Sequence, residues 1–69
     1  MTNNDRTTDD KVLIARDGAQ IVFWTGRAGQ AWKSLFIADA LRVSDVEAKR
    51  KAAFFNEAVR LHGLTWRVS

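Results

Sequence analysis

The chain has 69 residues, enough for one domain with a small core, because a chain of this size buries only about 60% of the surface that its unfolded form exposes. It contains no cysteine, so disulfides and cysteine-based zinc clusters are excluded, and we expect oligomerisation to supply the missing stability. The sequence shows neither an apolar run of membrane-spanning length nor a secretory signal, so we expect a soluble, cytoplasmic protein.

Charge is unevenly distributed along the chain. Residues 1–10 have a net charge of −2, whereas residues 11–69 have a net charge of +5. A basic surface accelerates association with an acidic protein and with nucleic-acid phosphates alike. The charge therefore indicates a binding partner without choosing its class.

Residues 1–10 contain no apolar residue after Met1 and no periodicity. Such a segment cannot bury enough surface to offset the entropy of ordering, so we expect a flexible tail. Residues 11–69 are then the single folded domain.

The first folded element is predicted to be a β-hairpin. Two runs rich in β-branched and aromatic residues, Lys11 to Arg16 and Ala19 to Thr25, flank Asp17-Gly18, a pair typical of a type I′ turn. This turn predicts a register with Ile14 opposite Ile21.

Both faces of this hairpin are apolar, whereas an exposed hairpin would be polar on one face. Something must therefore cover the second face. The two faces carry the following residues: Val12, Ile14, Ile21 and Phe23 on one, and Leu13, Val22 and Trp24 on the other.

After a glycine-rich turn at residues 26–29, residues 30–41 have apolar side chains at nearly every angle of a helical wheel. This pattern favours a helix that is buried on more than one side. A third strand through Trp32 to Ile37 is the alternative.

Residues 45–62 have the strongest helix signal. Ser44 and Glu47 form a capping box at the start, and Gly63 is typical of the position that follows a helix. Residues 64–68 alternate apolar and polar, which predicts a short C-terminal edge strand. The predicted fold is α+β, an N-terminal β-hairpin followed by two α-helices and a short strand, in a small dimer.

Catalysis has little support in the sequence. The chain has one histidine, His62, and no cysteine or tyrosine, so nucleophile and base pairs are scarce. His62 has no metal-ligating companion, and we interpret it as a cation that complements the end of the predicted helix. We expect no enzyme, no cofactor and no metal site.

Aromatic residues are the strongest functional signal. Seven of them are interleaved with arginine and lysine, and tryptophan with arginine is typical of interface hot spots. The residues predicted to bind a partner protein are Trp32, Phe36, Arg60, Trp66 and Arg67. Those predicted to form the dimer interface are Ile21, Phe23, Phe54, Phe55 and Leu61.

DNA binding is the alternative function. Residues 37–44 followed by the second predicted helix resemble a helix-turn-helix motif, in which Arg42, Lys49 and Arg50 would contact the nucleic acid. A ribbon-helix-helix dimer, with residues 19–25 paired across a two-fold axis, is a related possibility. Either would make the protein a transcriptional regulator.

The polar tail, the Asp17-Gly18 hairpin, two short helices, the basic body and the lack of cysteine and proline together resemble the small accessory proteins of temperate phages. That group includes anti-CRISPR proteins and quorum-sensing anti-activators. The resemblance implies a homodimeric, non-enzymatic inhibitor that takes part in host takeover by binding and blocking a host protein, such as a transcriptional regulator.

Overall fold

A computed structural model describes residues 9–69 of the chain. Within these residues a four-stranded antiparallel sheet packs against one helix, which confirms the mixed α+β class. A flexible tail is predicted for residues 1–10, and residues 1–8 of it lie outside the described part of the chain. Asp9 and Asp10 are exposed and belong to no helix or strand.

The sheet consists of β1 (Leu13–Asp17), β2 (Gln20–Trp24), β3 (Lys33–Ser34) and β4 (Trp66–Val68), in the spatial order β3-β2-β1-β4. The predicted hairpin therefore forms the centre of the sheet. The predicted C-terminal strand is confirmed at one edge, beside β1.

The register of the hairpin differs from the expected one. Ile14 lies opposite Phe23, and Asp17 pairs with Gln20, so the two turn residues are Gly18 and Ala19. A type I′ turn at Asp17-Gly18 would need a positive φ at both residues, whereas here only Gly18 is left-handed, with φ of 66°. A type II′ turn needs glycine only at its first central position. Because the register shifts by two residues, the strand residues stay on the faces that the sequence predicts.

Helix α1 (Asp45–Ala53) begins as predicted. The Ser44 hydroxyl oxygen accepts a hydrogen bond from the backbone N–H of Glu47 at 3.2 Å. The helix also carries the ion pairs Lys49–Asp45 at 3.0 Å and Lys51–Glu47 at 3.4 Å. None of the helices within residues 9–69 has the length and apolar character needed to cross a membrane.

The end of the helix was predicted at His62, and this is wrong. A π-helical turn, Phe54–Ala58, continues α1, and the helical path ends there. Arg60 then adopts a left-handed conformation with φ of 47°. Trp66 provides the physical reason, since its indole N–H donates to the carbonyl of Leu61 at 3.1 Å. The same carbonyl accepts from the backbone N–H of Leu64 at 3.2 Å, which closes a separate 3₁₀ turn, Leu61–Gly63, after the helix.

The helix predicted for residues 30–41 is absent. A 3₁₀ turn (Gly29–Trp32), the short strand β3 and a second 3₁₀ turn (Ile37–Asp39) take its place, so the strand alternative is correct in part. Pairing with β2 satisfies the backbone of this segment. The apolar residues of this segment do not form a single stripe, so a helix here would have no defined face to pack against the core. The segment therefore forms a short strand instead.

The core lies between the sheet and α1. Trp66 is its largest fully buried side chain, only 1% exposed, and its ring lies edge-on to that of Phe55 with the centroids 5.9 Å apart. The remaining members of the buried apolar cluster are Leu13, Ala15, Val22 and Ala48. We call the sheet face that carries Leu13, Ala15, Val22 and Trp66 the inner face and the opposite one the outer face.

Candidate functional site

The outer face of the sheet is apolar and is not covered by α1. Ile14, Ile21 and Phe23 alternate with the buried residues of β1 and β2, so their side chains lie on this face. Ile21 is 39% exposed, and Ile14 and Phe23 are half-buried. Val12, which the sequence places on this face, is 2% exposed, whereas Ile14, Ile21 and Phe23 keep exposed area, so the expectation that something covers this face stays a prediction.

The segment after β3 extends this apolar area. Ser34 is the register partner of Phe23, and the next three residues, Leu35, Phe36 and Ile37, are all exposed. Phe36 is the most exposed of them at 69%. We call Ile14, Ile21, Phe23 and residues 35–37 the outer apolar surface.

Hydrogen bonds hold this segment in place. The Ser34 hydroxyl donates to the carboxylate of Asp39 at 2.6 Å and accepts from the backbone N–H of Phe36 at 3.1 Å. The 3₁₀ turn at Ile37–Asp39 closes the loop. The exposed side chains therefore project from a turn with defined local structure, which lowers the entropy cost of binding through them.

Two further exposed apolar side chains lie on the solvent side of the helix. Val46 is exposed near the start of α1, and Phe54, at the junction with the π-helical turn, is 55% exposed. They are about 12 Å apart along the helix axis and about 80° apart around it, and the exposed Arg50 lies between them. We call Val46 and Phe54 together the helix surface.

The residues predicted to bind a partner are divided by the fold. Phe36, Arg60 and Arg67 are exposed. Trp66 belongs to the core, and the half-buried Trp32 stacks on His62 with ring centroids 3.6 Å apart. Neither tryptophan presents a free ring to a partner in this structure.

The residues predicted to form the dimer interface do not share one surface. Ile21 and Phe23 lie on the outer face of the sheet, and Phe54 belongs to the helix surface. Phe55 is in the core, and Leu61 packs against it half-buried. Their division follows from the sheet, because α1 packs on one side of it only.

The three predicted DNA-contacting residues, Arg42, Lys49 and Arg50, are exposed, and Lys49 pairs with Asp45. Within residues 9–69, however, only a 3₁₀ turn precedes α1 where a helix-turn-helix motif needs its first helix. β2 is bonded to β1 on one side and, at Phe23 and Trp24, to β3 on the other, so only residues 20–22 keep an edge without a strand partner for pairing across a two-fold axis.

His62 lies in the 3₁₀ turn Leu61–Gly63, four residues beyond Ala58, where the helix that begins at Asp45 ends. The interpretation of His62 as a helix-end cation is therefore wrong, and its observed role is to stack on Trp32. No cluster of three potential metal ligands occurs among the described residues. A shallow cleft of about 230 Å³ lies nearby, lined by Asn56, Arg60, Gly63, Leu64 and Thr65.

Four residues of these two surfaces were not among the predicted site residues: Ile14, Leu35, Ile37 and Val46. Alternation along the hairpin places Ile14 on the same face as Ile21 and Phe23. Leu35 and Ile37 carried no such signal, because their segment has no regular period. Comparison with known protein families, curated proteins and solved structures yields no match for this chain.

Proposed function

We propose that this protein is a non-enzymatic interaction module that binds another protein through the outer apolar surface. The observation that carries the proposal is the exposure of Ile21 and of residues 35–37 beside the sheet face that α1 leaves open. Contiguous exposed apolar areas on small soluble proteins are typical of protein interaction sites.

The free energy available from burying these apolar side chains supports a binding role. Fully burying one isoleucine, leucine or phenylalanine side chain contributes about 1.5–3 kcal/mol. The Ser34 hydroxyl bonds to the backbone N–H of Phe36 and to the Asp39 carboxylate, so less backbone freedom remains to be lost on binding. A few such anchors are enough to supply most of the affinity of an interface.

Homodimerisation and inhibition belong to the same proposal. A second copy would bind at the helix surface, where Val46 and Phe54 are exposed. This arrangement leaves the outer apolar surface free to cover a host protein such as a transcriptional regulator. The protein would then block that partner by occupying its binding surface, as the likeness to phage accessory proteins implies.

The test is affinity capture from a host lysate with the immobilised full chain, with and without nuclease. We expect the native chain to retain a partner that resists nuclease and the double variant I21S/F36S to lose it. The control V59S changes an exposed apolar residue outside both surfaces, 47% exposed, and should retain the partner. Circular dichroism checks that all three proteins are folded.

Loss of all retained material after nuclease treatment would contradict the proposal and favour nucleic-acid binding. Equal retention by the native chain and I21S/F36S would place the binding site elsewhere.

A further inference from the structure

The outer face carries two arginines beside its apolar residues. Ile14 on β1 lies opposite Arg67 on β4, and Arg16 is two residues further along β1 on the same face. Arg16 and Arg67 are therefore diagonal neighbours on adjacent strands, a spacing that long side chains bridge. Both are exposed.

Neither arginine has an acidic partner among residues 9–69, where the ion pairs are Lys33–Asp17, Lys49–Asp45 and Lys51–Glu47. Like charges placed as cross-strand neighbours repel each other. An anionic group between them would remove this repulsion, and guanidinium groups bind planar carboxylates through paired hydrogen bonds.

One row of residues crosses the outer face from a positive end to a negative end. It runs from Arg67 through Ile14 and Phe23 to Ser34, whose hydroxyl holds the carboxylate of Asp39. A partner segment on this row therefore meets a cationic site at one end and apolar side chains in the middle. This polarity also sets the direction in which the segment lies.

On the basis of the proposed protein-binding function, we propose that the outer face binds an acidic amphipathic protein segment, with an aspartate or glutamate carboxylate between Arg16 and Arg67 and apolar side chains against Ile21 and Phe23. In a face-to-face pair, the carboxylate that a second copy brings to the arginines from this row is that of Asp39, which the Ser34 hydroxyl already holds. Single-stranded nucleic acid, whose bases stack on exposed aromatic rings, finds one strongly exposed ring in the outer apolar surface, that of Phe36, and it is a separate outcome of the test.

The test is selection of a displayed library of random peptides on the full chain. We expect the selected peptides to be enriched in aspartate and glutamate next to apolar residues. The same selection on R16Q/R67Q should lose this enrichment. The matched control R42Q/R50Q removes the same charge at two exposed residues outside the sheet and should keep it.

The affinity of the best selected peptide for each protein then measures how much the two arginines contribute to binding. Since a hydrogen bond to a charged group contributes about 1.5–3 kcal/mol, R16Q/R67Q should bind this peptide at least about tenfold more weakly than the native chain. Binding to R42Q/R50Q should change by less than about twofold.

Selected peptides without acidic enrichment, or an equal loss in R42Q/R50Q, would overturn the acidic-segment inference and leave the protein-binding function standing. A failure to select any binding peptide would also overturn it, while the lysate capture decides the broader function separately. If a fluorescent single-stranded DNA bound more tightly than the best peptide and lost affinity in R16Q/R67Q, both proposals would be overturned.

Discussion

Two adjacent phenylalanines have opposite environments in this protein. Phe55 is 8% exposed and lies edge-on to Trp24, with ring centroids 5.1 Å apart, whereas Phe54 is mostly exposed. The same side chain therefore serves stability at one position and is available for contacts at the next.

We expect Phe55→Ala to lower the free energy of unfolding by about 3–5 kcal/mol, because it leaves a cavity beside the aromatic core. Phe54→Ala should lower it by less than about 1 kcal/mol, since it removes little buried area. Urea denaturation followed by tryptophan fluorescence measures both. Similar losses in the two variants would contradict the observed division.

Asn56 connects the π-helical turn to strand β4 through its side chain. Its carboxamide oxygen accepts a hydrogen bond from the backbone N–H of Trp66 at 2.7 Å, and its NH₂ group donates to the carbonyl of Trp66 at 2.9 Å. In β4 these groups point away from β1, because the Val12–Ser69 pair, three steps along the ladder, exchanges both of its bonds and bonded pairs alternate with non-bonded ones. The side chain thus occupies the place of a further strand at this sheet edge.

Asn56→Ala should destabilise the protein by about 1–3 kcal/mol for each backbone group that loses its partner. Asn56→Asp keeps the acceptor but loses the donor at neutral pH, and the protonated carboxyl regains it. The folded state therefore stabilises the neutral carboxyl and raises its pKa. As the pH falls, the loss in free energy of unfolding relative to the native chain should become smaller. Urea denaturation of both proteins at pH 7 and at acidic pH measures this, and a deficit that grows on acidification would contradict it.

At the level of elements, the hairpin turn determines how β1 and β2 are paired. Gly18 is left-handed, and a Cβ atom at this position would meet nothing within 4 Å. Any cost of substitution there is therefore conformational and not steric, which makes the turn a clean test of the register.

Gly18→Ala should lower the free energy of unfolding by more than about 1 kcal/mol, because an L-residue resists a positive φ. D-alanine at the same position, introduced by chemical synthesis of the chain, adopts a positive φ readily and should be neutral or stabilising. Thermal unfolding of the two proteins gives the comparison. A penalty for D-alanine as large as that for L-alanine would argue against the left-handed turn.

At the scale of the whole molecule, the single helix explains why two apolar surfaces remain. α1 covers the inner face of the sheet, and among the described residues no second helix covers the outer face. The sheet therefore presents the outer apolar surface, and the helix presents Val46 and Phe54 on its opposite side.

We expect the native chain to sediment as a dimer of 7.8 kDa subunits at micromolar concentration, since a small domain without disulfides gains stability by association. V46S/F54S should shift the equilibrium toward the monomer, and I21S/F36S should leave the dimer intact. Sedimentation velocity over a range of concentrations tests both. A native chain that is monomeric throughout would contradict the dimer.

The sequence by itself determined the elements whose signals are local. The alternation around Ile14 and Phe23 placed side chains on the correct faces, and Ser44 with Glu47 predicted the start of the helix. Periodicity and capping depend on neighbouring residues only, and the same alternation already indicated an apolar sheet face in need of a partner.

Only the tertiary structure decided how the helix ends, what residues 30–41 form and which aromatic residues are buried. Trp66 forms hydrogen bonds with the Leu61 carbonyl and with both polar groups of the Asn56 side chain. Lys33–Ser34 pairs with β2. These contacts join residues that are distant in the chain or lie beyond the predicted element, so no local pattern encodes them. The physical reason is that a buried backbone group must find a partner wherever the fold supplies one.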